Sequence, residues 1–372
     1  ITEFPAACKR LFQNKLLIIN IFSGVAYILG ASGYITYLSK YLEVQFNKSS
    51  AEASLVIGPI TLLSVVIGFL VSGVVISKFK PTPPYLLGWN VIVGFIFIFG
   101  ELLFLLITCK DKGMVGYSAL DKRINLPNSC NLECGCENLK YSPVCLEAYG
   151  MTFYSPCHAG CSGMTNEEGV MRFINQICML QFYHNCTCVP NSNGLPPFET
   201  YSGALKGGPC PFECGNNFEL FITVMFIIHC FGSSGKIGNI LVNYRSVDPE
   251  DKSFAQGISL LFISLVAFIP GPIMYGWLID STCLVWDESC GSRGNCWYYD
   301  KEDFRLKLNA TAAGITVFGV ILDIIVCYLG RNLDLYGEDE ENEGTNDRLK
   351  YKVDSETEEG PLKFAYLPNR EA

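Results

Sequence analysis

An all-α membrane protein carrying a small disulfide-rich insertion is the fold class this sequence predicts, and three observations predict it. Only 17% of the 372 residues are charged while 49% are hydrophobic, against about 25% charged in a soluble domain. The apolar residues gather into six long stretches. Twelve of the eighteen cysteines fall in one run, 109–214, between the third and fourth of those stretches.

The stretches are 16–38, 55–76, 85–107, 218–242, 254–279 and 312–329, each near the ~20 residues that a helix needs to cross a bilayer. They divide the chain into membrane helices over 1–108, a loop at 109–217, further membrane helices over 218–330 and a tail at 331–372. Buried helices of a large soluble core are the competing reading, but long uncharged runs are hard to place there.

Ahead of the first span Lys9, Arg10 and Lys15 form a basic flank of the cytoplasmic kind,. Three Asn-x-Ser/Thr sequons, at Asn47, Asn185 and Asn309, fall between spans one and two, three and four, and five and six. With six crossings these loops share a face, so all three asparagines are expected outside as glycosylation sites. The opposite connections, 77–84 and 243–253, contain no cysteine, as a reducing cytosol requires, and Lys78 and Lys80 mark the first of them as inside,. Both ends of the chain are then expected in the cytoplasm. The chain opens on Ile1 with no signal-peptide progression, and reads as a piece of a longer or processed protein,. The net charge of −9 owes much to Glu338, Asp339, Glu340, Glu341 and Glu343 in the tail. That balance argues against nucleic-acid partners and makes disorder the expectation for the tail.

Glycines recur in the spans, among them Gly24, Gly30 and Gly33, Gly68 and Gly73, and Gly232, Gly235 and Gly238. In lipid they are packing residues first, because small side chains let helices approach. Pro270 and Pro272 around Gly271 are expected to break or kink the fifth span,. Ionisable groups in the apolar stretches are Glu101, Glu219, His229, Lys236 and Asp323. Each is costly in hydrocarbon and is expected to face a cavity or a partner. Lys236, within Gly-Ser-Ser-Gly-Lys-Ile-Gly, is the candidate cation of a solute path; the competing reading pairs it with Glu101 or Asp323, or lets it snorkel. His229 lies about two turns earlier on the same face. No constellation for catalysis, a metal or a cofactor is visible, and none is expected.

From Cys130 the cysteine spacing is C-x3-C-x-C-x8-C-x11-C-x3-C-x16-C-x7-C-x-C-x21-C-x3-C. Zinc could use such steps, but an oxidising face favours disulfides. The segment Tyr141-Ser142-Pro143-Val144-Cys145, followed by Gly150, Thr152, Tyr154, Cys157 and Cys161, resembles a Kazal domain over about 128–190. The resemblance implies Cys136–Cys157, Cys130–Cys161 and Cys145–Cys188 as pairs. It would put Leu139 where Kazal inhibitors present their scissile bond.

A Kazal-like loop between the third and fourth of six spans is similar to the C-terminal half of the organic anion transporting polypeptides. The same resemblance is carried by Lys9-Arg10-Leu11-Phe12, Lys40-Tyr41-Leu42-Glu43, Ser155-Pro156-Cys157-His158-Ala159-Gly160-Cys161, Arg245-Ser246-Val247 with Lys252-Ser253-Phe254-Ala255, and Tyr298-Tyr299-Asp300. It implies a major-facilitator-type six-helix C-terminal half, completed by an N-terminal six-helix half, in the plasma membrane. It also implies sodium-independent uptake of large amphipathic organic anions such as steroid conjugates, prostaglandins and thyroid hormones, or of steroids, by alternating access. Where the resemblance implies an arginine in the fifth span this chain has Ser264, so either Lys236 from the neighbouring helix substitutes for it or the substrate is uncharged, such as a free steroid. Tyr34 and Phe268, with Glu101 and His229, complete the set of candidate substrate-binding residues. The alternative from another class is a membrane-anchored Kazal-type receptor or protease inhibitor, against which the polar residues in the spans argue.

Overall fold

The computed structural model describes residues 4–109, 113–118, 121–137, 139–170, 177–189, 199–201, 204–211, 214–289 and 292–333. The acidic cluster 338–343 and the rest of the tail lie outside them. A short helix α1 (Phe4–Gln13) leads into α2 (Lys15–Phe46), α3 (Ser50–Phe79) and α4 (Pro83–Phe104). After the cysteine-rich region come α5 (Asn217–Arg245), a fifth span in two parts, α6 (Lys252–Ile263) and α7 (Pro270–Asp280), and α8 (Lys301–Leu329). Six of these units are long and apolar enough to cross a membrane.

Local chemistry sets the ends. Asn14 caps α2 by accepting from Leu17 N, Ser49 and Glu52 form a reciprocal capping box on α3, and Asp300 accepts from the backbone of Glu302 and Asp303 to start α8,. The left-handed residues Asn47 and Lys80 stop α2 and α3,. Three spans, α2, α3 and α8, are markedly longer than their hydropathy indicates, because polar ends continue the helices beyond the apolar part. As a result Asn309 is not in a loop: it lies inside α8, fully buried, which corrects its expected role as a glycosylation site. Asn185 is exposed on a strand, and Asn47 is half-buried.

The helix α2 is the central post, with α8 packed along it and α3, α5 and the fifth span also against it. The helix α4 lies between α8 and α5, and α3 rests on α5. Glycines make these contacts. A Cβ on Gly68 would stand 2.4 Å from the Cys230 carbonyl oxygen, so α3 and α5 touch almost backbone to backbone, and one on Gly33 would stand 2.6 Å from the Tyr275 ring, so that ring lies directly on the α2 backbone,. Neither Pro270 nor Pro272 has a backbone N–H, and just ahead of them Ser264–Phe268 forms a π turn with Ile269 N donating to Ser264 O at 3.1 Å,. The fifth span breaks there.

The cysteine-rich region is a β module. Its small hairpin joins β1 (Tyr117–Ser118) to β2 (Arg123–Ile124), and its main sheet contains β3 (Val144–Leu146), β4 (Met151–Phe153), β5 (Cys161–Val170), β6 (Ile177–Val189), β7 (Glu199–Tyr201) and β8 (Leu205–Gly207). The order is β4-β3-β8-β6-β5, with β7 also on β6. A second hairpin, β9 (Cys283–Ser289) and β10 (Ser292–Tyr299), joins α7 to α8.

Strand register decides the disulfides. Cys161 stands directly opposite Cys186 and bonds to it, not to Cys130. Cys188, two residues on and therefore on the same face of β6, takes Cys130. Cys145 pairs across its ladder with Lys206 of β8, and the chain leaving β8 brings Cys210 to it in place of Cys188. The expected Cys130–Cys161 and Cys145–Cys188 bridges are thus corrected, whereas Cys136 is joined to Cys157. Cys109–Cys214 ties the two membrane ends of the module together, and Cys283–Cys296 staples the second hairpin.

Candidate functional site

The segment around Lys236 is shaped by what its small neighbours touch. Gly232 lies under Phe97, Gly235 and Gly238 lie on Asn90, and Ser234 accepts Trp89 Nε1 at 2.9 Å through its hydroxyl and Ser72 Oγ at 2.8 Å through its carbonyl. All of these partners belong to α3 and α4. Lys236 itself is exposed. Among the described residues it makes no ion pair, so the carboxylates Glu101 and Asp323 are not its partners. His229 is half-buried on the same helix, with its carbonyl accepting from Ser233 Oγ at 2.8 Å.

Ser264 and Phe268 lie in the π turn of the fifth span, and both are exposed, Phe268 to 51%. They point out of the six-helix bundle, as Lys236 does. Two turns nearer the inner end, Asn243 of α5 donates to Ser259 Oγ of α6 at 3.4 Å and accepts from Asn20 of α2 at 2.7 Å. That polar link holds the helices bearing Lys236 and Ser264 side by side.

Glu101 and Tyr34 are placed differently. Glu101 is buried, 4% exposed, among α4, α8 and α2, where Thr316 Oγ1 lies 3.4 Å from its Oε1. Tyr34 donates to Asn309, whose amide donates to Arg305 O at 2.7 Å. Above them Tyr41, Phe104 and Phe221 form an aromatic stack, with Phe104 and Phe221 centroids 4.5 Å apart. The six sequence candidates therefore divide: Lys236, Ser264 and Phe268 face outward, Glu101 and Tyr34 face the bundle interior, and His229 lies between.

Sequence reasoning missed Asn20, Asn243 and Ser259 as a helix-joining triad, Tyr275 as the side chain filling the α2–α7 contact, and Ser23 as the donor to the buried Asp323 carboxylate. Polar residues recurring inside apolar stretches were the available signal.

Outside the membrane the β module is seated on α8. Tyr117 donates to Asp300 Oδ2 at 3.0 Å, and Lys122 pairs with Asp303. Burial, and then the hydrogen bond to Asp300, pushes the Tyr117 hydroxyl up to about 12. Tyr141 packs on Trp297 and Tyr298 of β10. Near the top of α2, Lys40 pairs with Glu43 at 3.0 Å and lies over the Tyr299 ring.

Residues 1–304 match the profile described as the Organic Anion Transporter Polypeptide (OATP) family. The chain is similar to solute carrier organic anion transporter family member 74D of Drosophila melanogaster, 29% identical over 92% of this chain and 40% of that protein. It is also similar to member 1B2 of Mus musculus, 32% identical over 82% of this chain and 44% of the relative, and to member 4C1 of Homo sapiens, 28% identical over 86% and 43%. The chain thus spans less than half the length of these curated relatives.

Proposed function

Because this chain belongs to the organic anion transporter polypeptide family, we propose that it forms the substrate-binding C-terminal part of a carrier for large amphipathic organic anions. Steroid conjugates, prostaglandins and thyroid hormones, or free steroids, are the substrate class, moved without sodium by alternating access in the plasma membrane. A further six-helix half completes the path, and both described ends face the cytoplasm.

The observation that carries the reading is Lys236. A lysine within a membrane helix, with no carboxylate partner among the described residues, needs a counter-charge or water, and a passing organic anion supplies the first. Glycines and serines around it pack α5 closely on α3 and α4 while Lys236 itself stays exposed. Beside it the fifth span is broken at a π turn, the kind of element that rearranges locally without unfolding,. Ser264 and Phe268 offer a hydroxyl and a ring on that element.

Tracer uptake tests the proposal. Cells or proteoliposomes containing the full-length protein should accumulate a sulfated steroid saturably, without a sodium gradient, and excess unlabelled organic anion should compete. Accumulation no greater than in empty membranes, with the protein verified at the surface, would overturn it.

A further inference from the structure

The acids buried in the bundle are not used by the path proposed above, and Glu101 has a hydrogen-bond arrangement that only a proton completes. Thr316 Oγ1 has one hydrogen to donate. It lies 2.9 Å from Ala312 O and 3.4 Å from Glu101 Oε1, so the nearer carbonyl takes that hydrogen. A bond between Thr316 and Glu101 then requires the hydrogen to sit on the carboxyl. The other oxygen, Oε2, has no hydrogen-bond partner.

The neighbours offer nothing else. Tyr34 of α2 and Tyr275 of α7 are the titratable groups close enough to feel the Glu101 charge. Tyr34 gives its hydrogen to Asn309, and Tyr275 gives its own to Gly30 O at 2.9 Å. On the α5 side Ile228 packs on Gly100, the residue before Glu101. Among the described residues no lysine, arginine or histidine pairs with Glu101. An ionised carboxylate would have no cation beside it among the described residues and at most a share of the Thr316 hydroxyl, 3.4 Å away, the arrangement membrane proteins avoid.

Of the groups around Glu101, Tyr275 belongs to the segment beyond the π turn. That segment meets α2 through glycine contacts at Gly33–Tyr275, Gly271–Ser32 and Gly276–Tyr37, with Tyr275 and Tyr37 each adding one hydrogen bond across it. We propose that Glu101 is an intramembrane proton-binding site, closed in this conformation and opened to water when α7 carries Tyr275 away. Its proton occupancy is then linked to the conformational cycle, and that linkage, unlike the site itself, rests on the carrier reading.

The test separates the two. Infrared spectra of the full-length protein in nanodiscs at neutral pH should show the C=O stretch of a protonated carboxyl, and Glu101→Gln should remove that band. Thr316→Val, which keeps the carboxyl but removes its acceptor, should shift the band to higher frequency. Identical carboxyl bands in the wild type and Glu101→Gln would overturn the site whatever the uptake assay shows. In cells, Glu101→Gln at wild-type surface level should lose the dependence of uptake on external pH. An unchanged pH profile would overturn the linkage to α7. A band that behaves as expected in a protein without uptake upholds the site and removes the carrier reading.

Discussion

The Arg10 guanidinium grips both oxygens of Asp251, with Nε 3.0 Å from Oδ2 and a terminal nitrogen 2.9 Å from Oδ1. This bidentate pair joins α1, ahead of the first span, to the turn between α5 and α6. Asn14 adds a bond to Ser246 O, and Phe4 packs on Phe254 with centroids 5.1 Å apart. The hydrogen bond to Asp251, with its charge, holds the Arg10 side chain above its ordinary value, so the pair persists throughout the physiological pH range. Two separated parts of the family resemblance, Lys9-Arg10-Leu11-Phe12 and Lys252-Ser253-Phe254-Ala255, are the two sides of one contact.

Asp251→Asn is expected to release α1 locally without unfolding the bundle. Asp251 is buried but Arg10 is half exposed, and a partly solvated pair contributes to local order more than to global stability. Hydrogen exchange in α1 should rise several-fold while that of α2 and α8 stays constant. Arg10→Lys should give the same result, since a point charge does not replace a planar fork. Unaltered exchange in α1 would show that Asn14 and the phenylalanines hold the contact without the ion pair.

The disulfide register makes a second expectation. If Cys130 pairs with Cys188 and Cys161 with Cys186, the double variant Cys130→Ser/Cys188→Ser should be no less stable than either single one. Combining Cys130→Ser with Cys161→Ser should lose two bridges, each worth about 2–5 kcal/mol in a small disulfide-rich module. Peptide mapping without reduction should recover Cys145 linked to Cys210. Recovery of Cys145 linked to Cys188 would refute the register.

Glycosylation separates the three sequons by burial. The Asn309 side chain is enclosed between α8 and α2, its amide engaged with Arg305 O and close to the Tyr41 hydroxyl. Thr311→Ala, which destroys that sequon without touching Asn309, should therefore leave the glycosidase-sensitive mobility of the protein unchanged. Asn185→Gln should reduce it by one glycan, because Asn185 is exposed on β6. A mobility change from Thr311→Ala would place residue 309 outside the bundle.

How far the sequence was readable follows from which interactions set each feature. The spans and the break at Pro270 depend on local composition and on a missing N–H, so they are visible in one dimension. Asn309 misleads because a polar residue at a helix end looks like a loop until the aromatic residues of α2 close over it. Cys186 is paired by standing opposite Cys161 in a ladder, which spacing alone does not express. Among candidate site residues, Lys236 stands out by its charge against its neighbours. The inward position of Glu101 depends on which face of α4 meets α8, and apolar residues on every side of that helix conceal it.

The Lys236 role is the last and most exposed expectation. Among the described residues the lysine has no carboxylate partner to strand when it is removed, so Lys236→Ala should leave folding and surface level intact. A charge-assisted bond to a substrate anion is worth about 1.5–3 kcal/mol, which corresponds to roughly a ten- to hundred-fold rise in the KM for a sulfated steroid. The matched free steroid, lacking the anion, should be taken up as before, and Lys236→Arg should retain most of the affinity for the sulfate. The paired substrates make the outcome specific: equal losses for both would indicate a packing defect in α5, and no loss for either would remove Lys236 from the path. Loss confined to the sulfate would assign recognition of the substrate charge to Lys236 on α5.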